Sequence, residues 1–152
     1  GYHLGGSYTF GGNVKVGGLW AHMEADTAVG QTAEVDVWHL GVEWKLSGPH
    51  ALHFGYTKAD DMEGTTGATM GSRPAVGGPG STLVTGNLHS TSADLFQIRY
   101  LYSFSKRTTG TIGYVALKND DGASYDLGGL SYPATATGAK QSAIAMSIQH
   151  RF

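Results

Sequence analysis

The sequence predicts an all-β fold, namely an antiparallel transmembrane β-barrel with about seven of its strands in this chain. Segments of about ten residues alternate apolar with small or polar side chains, as barrel strands do. Short turns alternate with long loops. Charged residues make up only 14% of the chain, against about 25% in soluble domains. A barrel explains this low charge without a continuous apolar run, because its apolar residues occupy every second position.

The first four predicted strands are separated by turn and loop signals. In chain order the segments are a strand at 2–10, a turn at 11–13, a strand at 14–24, a loop at 25–34, a strand at 35–46, a turn at 47–50 and an alternating segment at 52–57. Gly, Asn and Pro mark the turns, and polar composition marks the loop. The strand at 35–46 alternates most clearly, with Trp38 and Trp44 on one face and His39 and Glu43 on the other.

The second half of the chain repeats this arrangement with longer loops. In chain order the segments are a loop at 59–91, a strand at 96–104, a turn at 105–108, a strand at about 109–118, a loop at 119–140 and a final strand that ends at Phe152. The pattern leaves the inward face of the strand at about 109–118 unassigned. We expect residues 1–152 to form a single, partial barrel domain with long extracellular loops at about 25–34, 59–91 and 119–140.

The difference between the turns and the loops predicts an orientation. Outer-membrane barrels have short turns in the periplasm and long loops outside the cell. In that orientation all of the twelve acidic residues except Glu43 lie toward the outer side. Carboxylate oxygens there can bind divalent cations that bridge to anionic lipid. Outer-membrane lipid and lipopolysaccharide are therefore expected partners; the alternative is that these loops are simply polar. A soluble lipocalin-like or streptavidin-like barrel is the alternative, but the polar face here is too small and glycine-rich for a solvated exterior.

Composition excludes several other functions. Cysteine is absent, so no disulfide framework or thiolate metal site is expected. The net charge of −2 argues against a nucleic-acid partner. His39 and His53 lie on neighbouring predicted strands but lack a third ligand, so we expect no metal and no cofactor. The sequence contains no Gly-x-Ser-x-Gly, and the adjacent His89 and Ser90 are poorly placed for catalysis, so we expect no enzyme.

Side chains on the small and polar face are candidates to line an aqueous lumen. These residues are His3, His39, Glu43, Lys45, His53, Gln97, Arg99, Gln149 and Arg151. Arg99 lies far from both turns, and a cation at membrane depth must face water or a partner. An ion pair between Arg99 and Glu43, or another wall carboxylate, is the alternative. Because the set is more basic than acidic, a weak preference for anions is expected.

Aromatic side chains near the predicted strand ends are candidates for the girdles that meet the membrane interfaces. They are Trp20, Trp38, Trp44, Tyr56, Tyr102 and Phe104. Ordinary core aromatics are the alternative interpretation.

Several motifs resemble the C-terminal part of Gram-negative general porins of the β-proteobacterial type. They are Leu101-Tyr-Ser-Phe-Ser-Lys-Arg-Thr108, Gly113-Tyr114, Leu117-Lys118-Asn119 and Gln149-His150-Arg151-Phe152, with strand repeats at 2–10 and 38–44. The resemblance implies homotrimers of 16-stranded outer-membrane barrels that pass small hydrophilic solutes by passive diffusion. It also implies that the barrel-assembly machinery reads the last strand, which here presents Ile144, Met146, Ile148, His150 and Phe152 on one face.

The number of strands departs from this family. Seven strands are visible, and an odd number starts Gly1 on the outer side, whereas family barrels begin in the periplasm. We favour the C-terminal portion of a longer porin. Two alternatives are a barrel shared by several chains and an overlooked strand, which would make a small eight-stranded barrel acting as an adhesin or structural anchor without a channel. We expect the constriction loop of the family to lie outside this sequence.

Overall fold

The chain forms one antiparallel β-sheet in the computed structural model, which describes residues 1–28, 31–64, 89–127 and 136–152. The strands are β1 (Tyr2–Phe10), β2 (Val14–Ala28), β3 (Gln31–Lys45), β4 (His50–Ala59), β5 (Glu63–Gly64), β6 (Ala93–Ser103), β7 (Thr108–Asn119) and β8 (Lys140–His150). Seven long strands follow the order β1-β2-β3-β4-β6-β7-β8, and the two-residue β5 pairs with β3. The predicted all-β antiparallel fold is confirmed. Within the described ranges, no helix is long and apolar enough to cross a membrane.

Short turns join the strands at one end of the sheet. Gly11 and Gly12 have φ values of 54° and 76°, which glycine adopts readily, and they reverse the chain between β1 and β2. Between β6 and β7, the Ser105 hydroxyl accepts hydrogen bonds from the amides of Arg107 and Thr108 at 3.2 and 3.1 Å. Local backbone and side-chain chemistry therefore specifies these reversals.

The predicted loop at 25–34 is wrong. β2 and β3 continue their pairing through this region, with Glu24 opposite Glu34 and Ala25 opposite Ala33. The two strands of a hairpin satisfy their backbone N–H and C=O groups by hydrogen bonds to each other, whatever their side chains are. A polar segment outside a membrane can therefore remain a strand. The long loops differ less from expectation. The first includes β5 and contains residues 65–88, and the second contains residues 128–135; both of these segments lie outside the described residues.

Cross-strand pairing gives the sheet two chemically different faces. Throughout the seven long strands, even-numbered residues pair with even-numbered residues and odd-numbered with odd-numbered. The exception is the tip of the β2–β3 hairpin, where the register shifts after Asp26. Directly paired residues share a face, and successive residues alternate faces. Every Trp, Tyr and Phe in the seven long strands has an even number. We call the even side the aromatic face and the odd side, which carries Glu43 and Arg99, the groove face.

The buried core of the described residues is small and lies at the long-loop end. Ala33, Val35, Ala59 and Met62 pack together, with Tyr125 against them. Elsewhere, the described residues form no second layer on the sheet. Large apolar side chains of the aromatic face stay exposed, including Ile144 at 71% and Met146 at 76%. Soluble monomers rarely expose contiguous apolar surface of this kind, so this face requires an apolar environment.

The described sheet is open. β1 and β8 lie at its two edges and do not pair with each other. Unpaired backbone groups at an edge cannot be left in hydrocarbon, so a membrane-spanning sheet must close with further strands. β5 is too short to be one of them, so the described residues do not supply the eighth spanning strand of a small barrel.

Candidate functional site

A row of charged and ionisable side chains crosses the groove face. Lys15 of β2 is opposite Glu43 of β3, Glu43 is opposite His53 of β4, and His53 is opposite Arg99 of β6. Side chains directly opposite each other on neighbouring strands have Cβ atoms about 5 Å apart. The sheet register therefore brings four residues that are far apart in sequence into one polar row.

A row without side chains lies beside the charged one. Gly17, Gly41 and Gly55 are successive cross-strand partners on the groove face, two residues along each strand from the charged row. Gln97 lies opposite Gly55 and extends over it: a Cβ at Gly55 would lie 2.5 Å from Gln97 Nε2. The result is an open groove of about 280 Å³.

Arg99 also lies opposite a glycine, on the strand at its other side. It lies opposite Gly113 of β7, where a Cβ would lie 2.8 Å from Arg99 Cγ. The side chain of Arg99 is exposed. Ion pairs within 4 Å in the described part of the chain involve His22 and Lys58, and none joins Arg99 to Glu43. Because β4 lies between β3 and β6, the strands of Glu43 and Arg99 are about 10 Å apart, and the guanidinium of Arg99 remains open to water.

The structure brings five of the sequence-predicted lining residues together in the groove. They are His39, Glu43, His53, Gln97 and Arg99. His39 is hydrogen-bonded through Nδ1 to Thr57 Oγ1 at 2.8 Å. Lys45 lies on the groove face at the short-turn end of β3, and Arg151 follows β8, where its amide donates to the carbonyl of Arg107 at 2.9 Å. These two cations therefore lie nearer the end of the wall than its middle.

Sequence reasoning missed Lys15 as a member of this row. Gly17 and Gly18 interrupt the alternation of β2, so the sequence alone does not assign the inward positions of that strand. The tight turn at 11–13 was the available signal, because it fixes Thr9 opposite Lys15 and thereby places Lys15 on the groove face. In the described ranges, no group of three or more His, Asp or Glu residues could hold a metal ion.

Five of the six predicted girdle residues fall into two groups on the aromatic face, and Tyr56 lies on the same face toward the long-loop end of β4. Trp44, Tyr102 and Phe104 lie at the short-turn end, and Tyr102 and Phe104 have ring centroids 4.8 Å apart. Trp20 and Trp38 are cross-strand partners with ring centroids 5.8 Å apart. These two tryptophans lie near the middle of β2 and β3, because the β2–β3 hairpin continues beyond them, but Trp38 is the cross-strand partner of Lys58 at the long-loop end of β4. Their role in a girdle stays a prediction.

Acidic side chains at the long-loop end bind other protein groups. Asp60 accepts a hydrogen bond from Trp38 Nε1 at 2.9 Å and pairs with Lys58 at 3.1 Å. Asp94 accepts one from the hydroxyl of Tyr56. The expected bridging of divalent cations by acids at this end stays a prediction.

The last strand carries the residues predicted to direct assembly. Ile144, Met146 and Ile148 extend from the aromatic face of β8 and are more than 70% exposed. His150 is hydrogen-bonded to Thr108 at 2.8 Å, and its ring lies 4.8 Å from that of Phe152. Their role in assembly stays a prediction.

Comparison with known proteins identifies the group to which this sheet is related. A family model described as Gram-negative porin matches residues 1–122. An anion-selective porin from Comamonas acidovorans matches in structure with a TM-score of 0.74 and 20% identity, over 99% of this chain and 38% of that chain. At this identity the likeness shows a common fold, and this chain spans 38% of the length of that porin. No curated protein has significant sequence similarity to the chain.

Proposed function

Because this chain belongs to the Gram-negative porin family, we propose that its seven long strands form part of the wall of a water-filled channel. The protein resides in the outer membrane of a Gram-negative bacterium. The proposed activity is passive diffusion of small hydrophilic solutes and ions, with no catalytic step and no cofactor. The aromatic face contacts lipid, and the groove face borders the aqueous lumen.

The division of the sheet into two faces is the observation that carries this proposal. Leu40, Phe54 and Ile98 lie on the aromatic face, which lipid can cover where the sheet is a single layer. On the groove face, Gly41 and Gly55 leave room beside the charged row. Water next to these glycines can solvate Glu43 and Arg99. In a dry barrel interior, these charges would have to be paired with other groups.

Further strands must close this wall, since β1 and β8 are both edges of the described sheet. We infer that the chain forms the C-terminal portion of a longer, 16-stranded barrel that assembles as a homotrimer. Barrels of about eight strands have interiors filled by side chains, whereas those of 16 strands leave an aqueous channel. In this proposal, the barrel-assembly machinery binds the apolar side of β8, where Ile144, Met146 and Ile148 are exposed.

The fixed charges of the groove face favour anions. Within the paired strands this face has the cations Lys15, Lys45 and Arg99 and the single anion Glu43. A ring of like charge along a pore biases the ions that pass it. The structural neighbour from Comamonas acidovorans is described as anion-selective, which agrees with this inference.

Reversal of the charge at Arg99 tests the channel proposal. In a planar bilayer of phosphatidylcholine with a KCl gradient, wild-type porin should conduct with a weak preference for chloride. A unit charge about 8 Å from an ion contributes roughly 0.5 kcal/mol in water, before screening by salt. Arg99→Glu should therefore lower the chloride-to-potassium permeability ratio about two- to fivefold, with the reversal potential as the measured quantity.

Lys118→Glu is the matched control, because it makes the same change of charge on the aromatic face. The reversal potential of this variant should equal that of wild type. Equal shifts from both variants would contradict the assignment of faces, and a folded wild-type protein without conductance would contradict the channel itself.

A further inference from the structure

Two lysines face each other on the aromatic face at the long-loop end. Lys118, near the end of β7, is the direct cross-strand partner of Lys140, the first residue of β8. Like charges directly opposite each other on a sheet are destabilising. Both side chains are exposed, and within the described ranges neither ammonium group lies within 4 Å of a carboxylate. The sequence thus places two cations side by side, with Asp94 opposite Lys118 on the neighbouring strand as the nearest acidic position in their row.

A groove of about 370 Å³ runs beside these lysines. Phe96, Tyr114 and Ala116 contribute apolar side chains to its lining, and Lys118 and Lys140 lie at its long-loop end. Tyr114 is four residues from Lys118, which corresponds to roughly 13 Å of strand. One end of this lysine groove therefore carries the two lysines together with Asp94, and the rest is mostly apolar.

Neighbouring charges distinguish Lys118 and Lys140 from the third lysine at the long-loop end of the aromatic face. Lys58 lies in the same cross-strand row but pairs with Asp60 at 3.1 Å. Asp94 lies between Lys58 and Lys118 in the row and also lines the groove. Its carboxylate accepts a hydrogen bond from Tyr56, on the side away from Lys140. Two cations and one carboxylate leave the groove with a net charge of +1.

We propose that the lysine groove binds a membrane lipid with an anionic phosphate headgroup. The phosphate oxygens accept hydrogen bonds from Lys118 and Lys140, and an acyl chain lies along Phe96 and Tyr114. This inference rests on the proposed function, in which the aromatic face contacts lipid. Charge complementarity together with the apolar lining favours a lipid over a free phosphate ion, which would leave the apolar part of the groove unfilled.

Lipid titration of the detergent-purified porin, followed by native mass spectrometry, tests the site. Phosphatidylglycerol should bind more tightly than the zwitterionic phosphatidylcholine. Each lysine near an anionic headgroup contributes a factor of about five in binding, so Lys118→Gln and Lys140→Gln should each weaken phosphatidylglycerol binding about fivefold. The double variant should weaken it about 25-fold. Lys58→Gln is the matched control and should bind like wild type, because Asp60 already neutralises that lysine.

Each outcome decides the proposal. Unchanged phosphatidylglycerol binding by the folded single variants would overturn it, as would an equal loss from Lys58→Gln. Displacement of the lipid by millimolar glycerol phosphate would show that the site takes a free phosphate, and would also overturn it. Conductance separates this result from a failure of the channel proposal, because the lysine variants lie on the lipid side and should conduct as wild type does.

Discussion

Individual glycines determine how much of the groove face is open. Gly17, Gly41 and Gly55 lie on three neighbouring strands in one cross-strand row, and each lacks a side chain where the wall would otherwise project into the proposed lumen. Glycine inside a strand weakens it, since it has greater freedom in the unfolded chain and nothing to pack. Three in a row on this face, beside Glu43 and Arg99, are therefore best explained by space for water and for long polar side chains.

Gly55→Leu should reduce the single-channel conductance without unfolding the protein. The new side chain displaces Gln97, which is flexible enough to move, and it projects into the lumen. We expect the free energy of unfolding to fall by about 1–3 kcal/mol, because a Cβ at Gly55 would also lie 2.8 Å from Gln97 Cγ, so the whole Gln97 side chain must shift. Gly6→Leu is the control, because Gly6 lies on the aromatic face and a Cβ added there would have no atom within 4 Å. Its conductance should match wild type; equal reduction by both variants would contradict the assignment of the groove face.

At the scale of the elements, Asn119 connects the end of β7 to the segment that follows it. This residue is 3% exposed. Its Nδ2 donates to the carbonyls of Tyr125 and Ala139 at 2.9 and 3.0 Å, and its Oδ1 accepts from the amide of Tyr125 at 3.0 Å. Tyr125 in turn packs against the buried cluster at the long-loop end. One buried amide thus fixes residues 120–127 over the end of the wall.

Asn119→Leu should release this segment while leaving the strands paired. Leaving buried partners unsatisfied costs about 1–3 kcal/mol, so amide hydrogen exchange at Tyr125 should accelerate roughly tenfold or more. Gln149→Leu, which alters another amide on the groove face at the opposite end of the sheet, should not change that rate. Unchanged exchange at Tyr125 in Asn119→Leu would show that other contacts hold the segment.

The predictability of the elements depended on how clearly side chains alternate. β3 was assigned correctly from Trp38 to Trp44, because large and polar residues strictly alternate there. The hairpin around 25–34 was missed, because its backbone pairing leaves no apolar signal. β7 has apolar residues on both faces, so its sequence alone does not show which face borders which environment. Its register with β6, in which Gly113 lies opposite Arg99, makes that assignment. Contacts such as the charged row depend on register between strands, which a single segment does not encode.

At the scale of the whole molecule, a single open sheet must obtain its stability from what covers it. From Phe96 to Phe104 the aromatic face extends over eight residues, or roughly 26 Å of strand. A strand tilt of about 40° reduces this to a height of roughly 20 Å, comparable with the apolar band of outer-membrane barrels. In the proposed barrel, lipid on one face, water on the other and further strands at both edges together account for the small buried core of the described residues.

Neighbouring residues at the centre of β6 provide the most direct test of this account. Ile98 lies on the aromatic face opposite Phe54 and Tyr114, and Gln97 lies on the groove face opposite Gly55. The measurement is the free energy of folding into phosphatidylcholine vesicles for Ile98→Lys and Gln97→Lys. Ile98→Lys should lose about 2–4 kcal/mol, as expected for a cation facing lipid near the midplane, and Gln97→Lys less than about 1 kcal/mol. Equal losses, or a larger loss for Gln97→Lys, would contradict the assignment of lipid and water to the two faces.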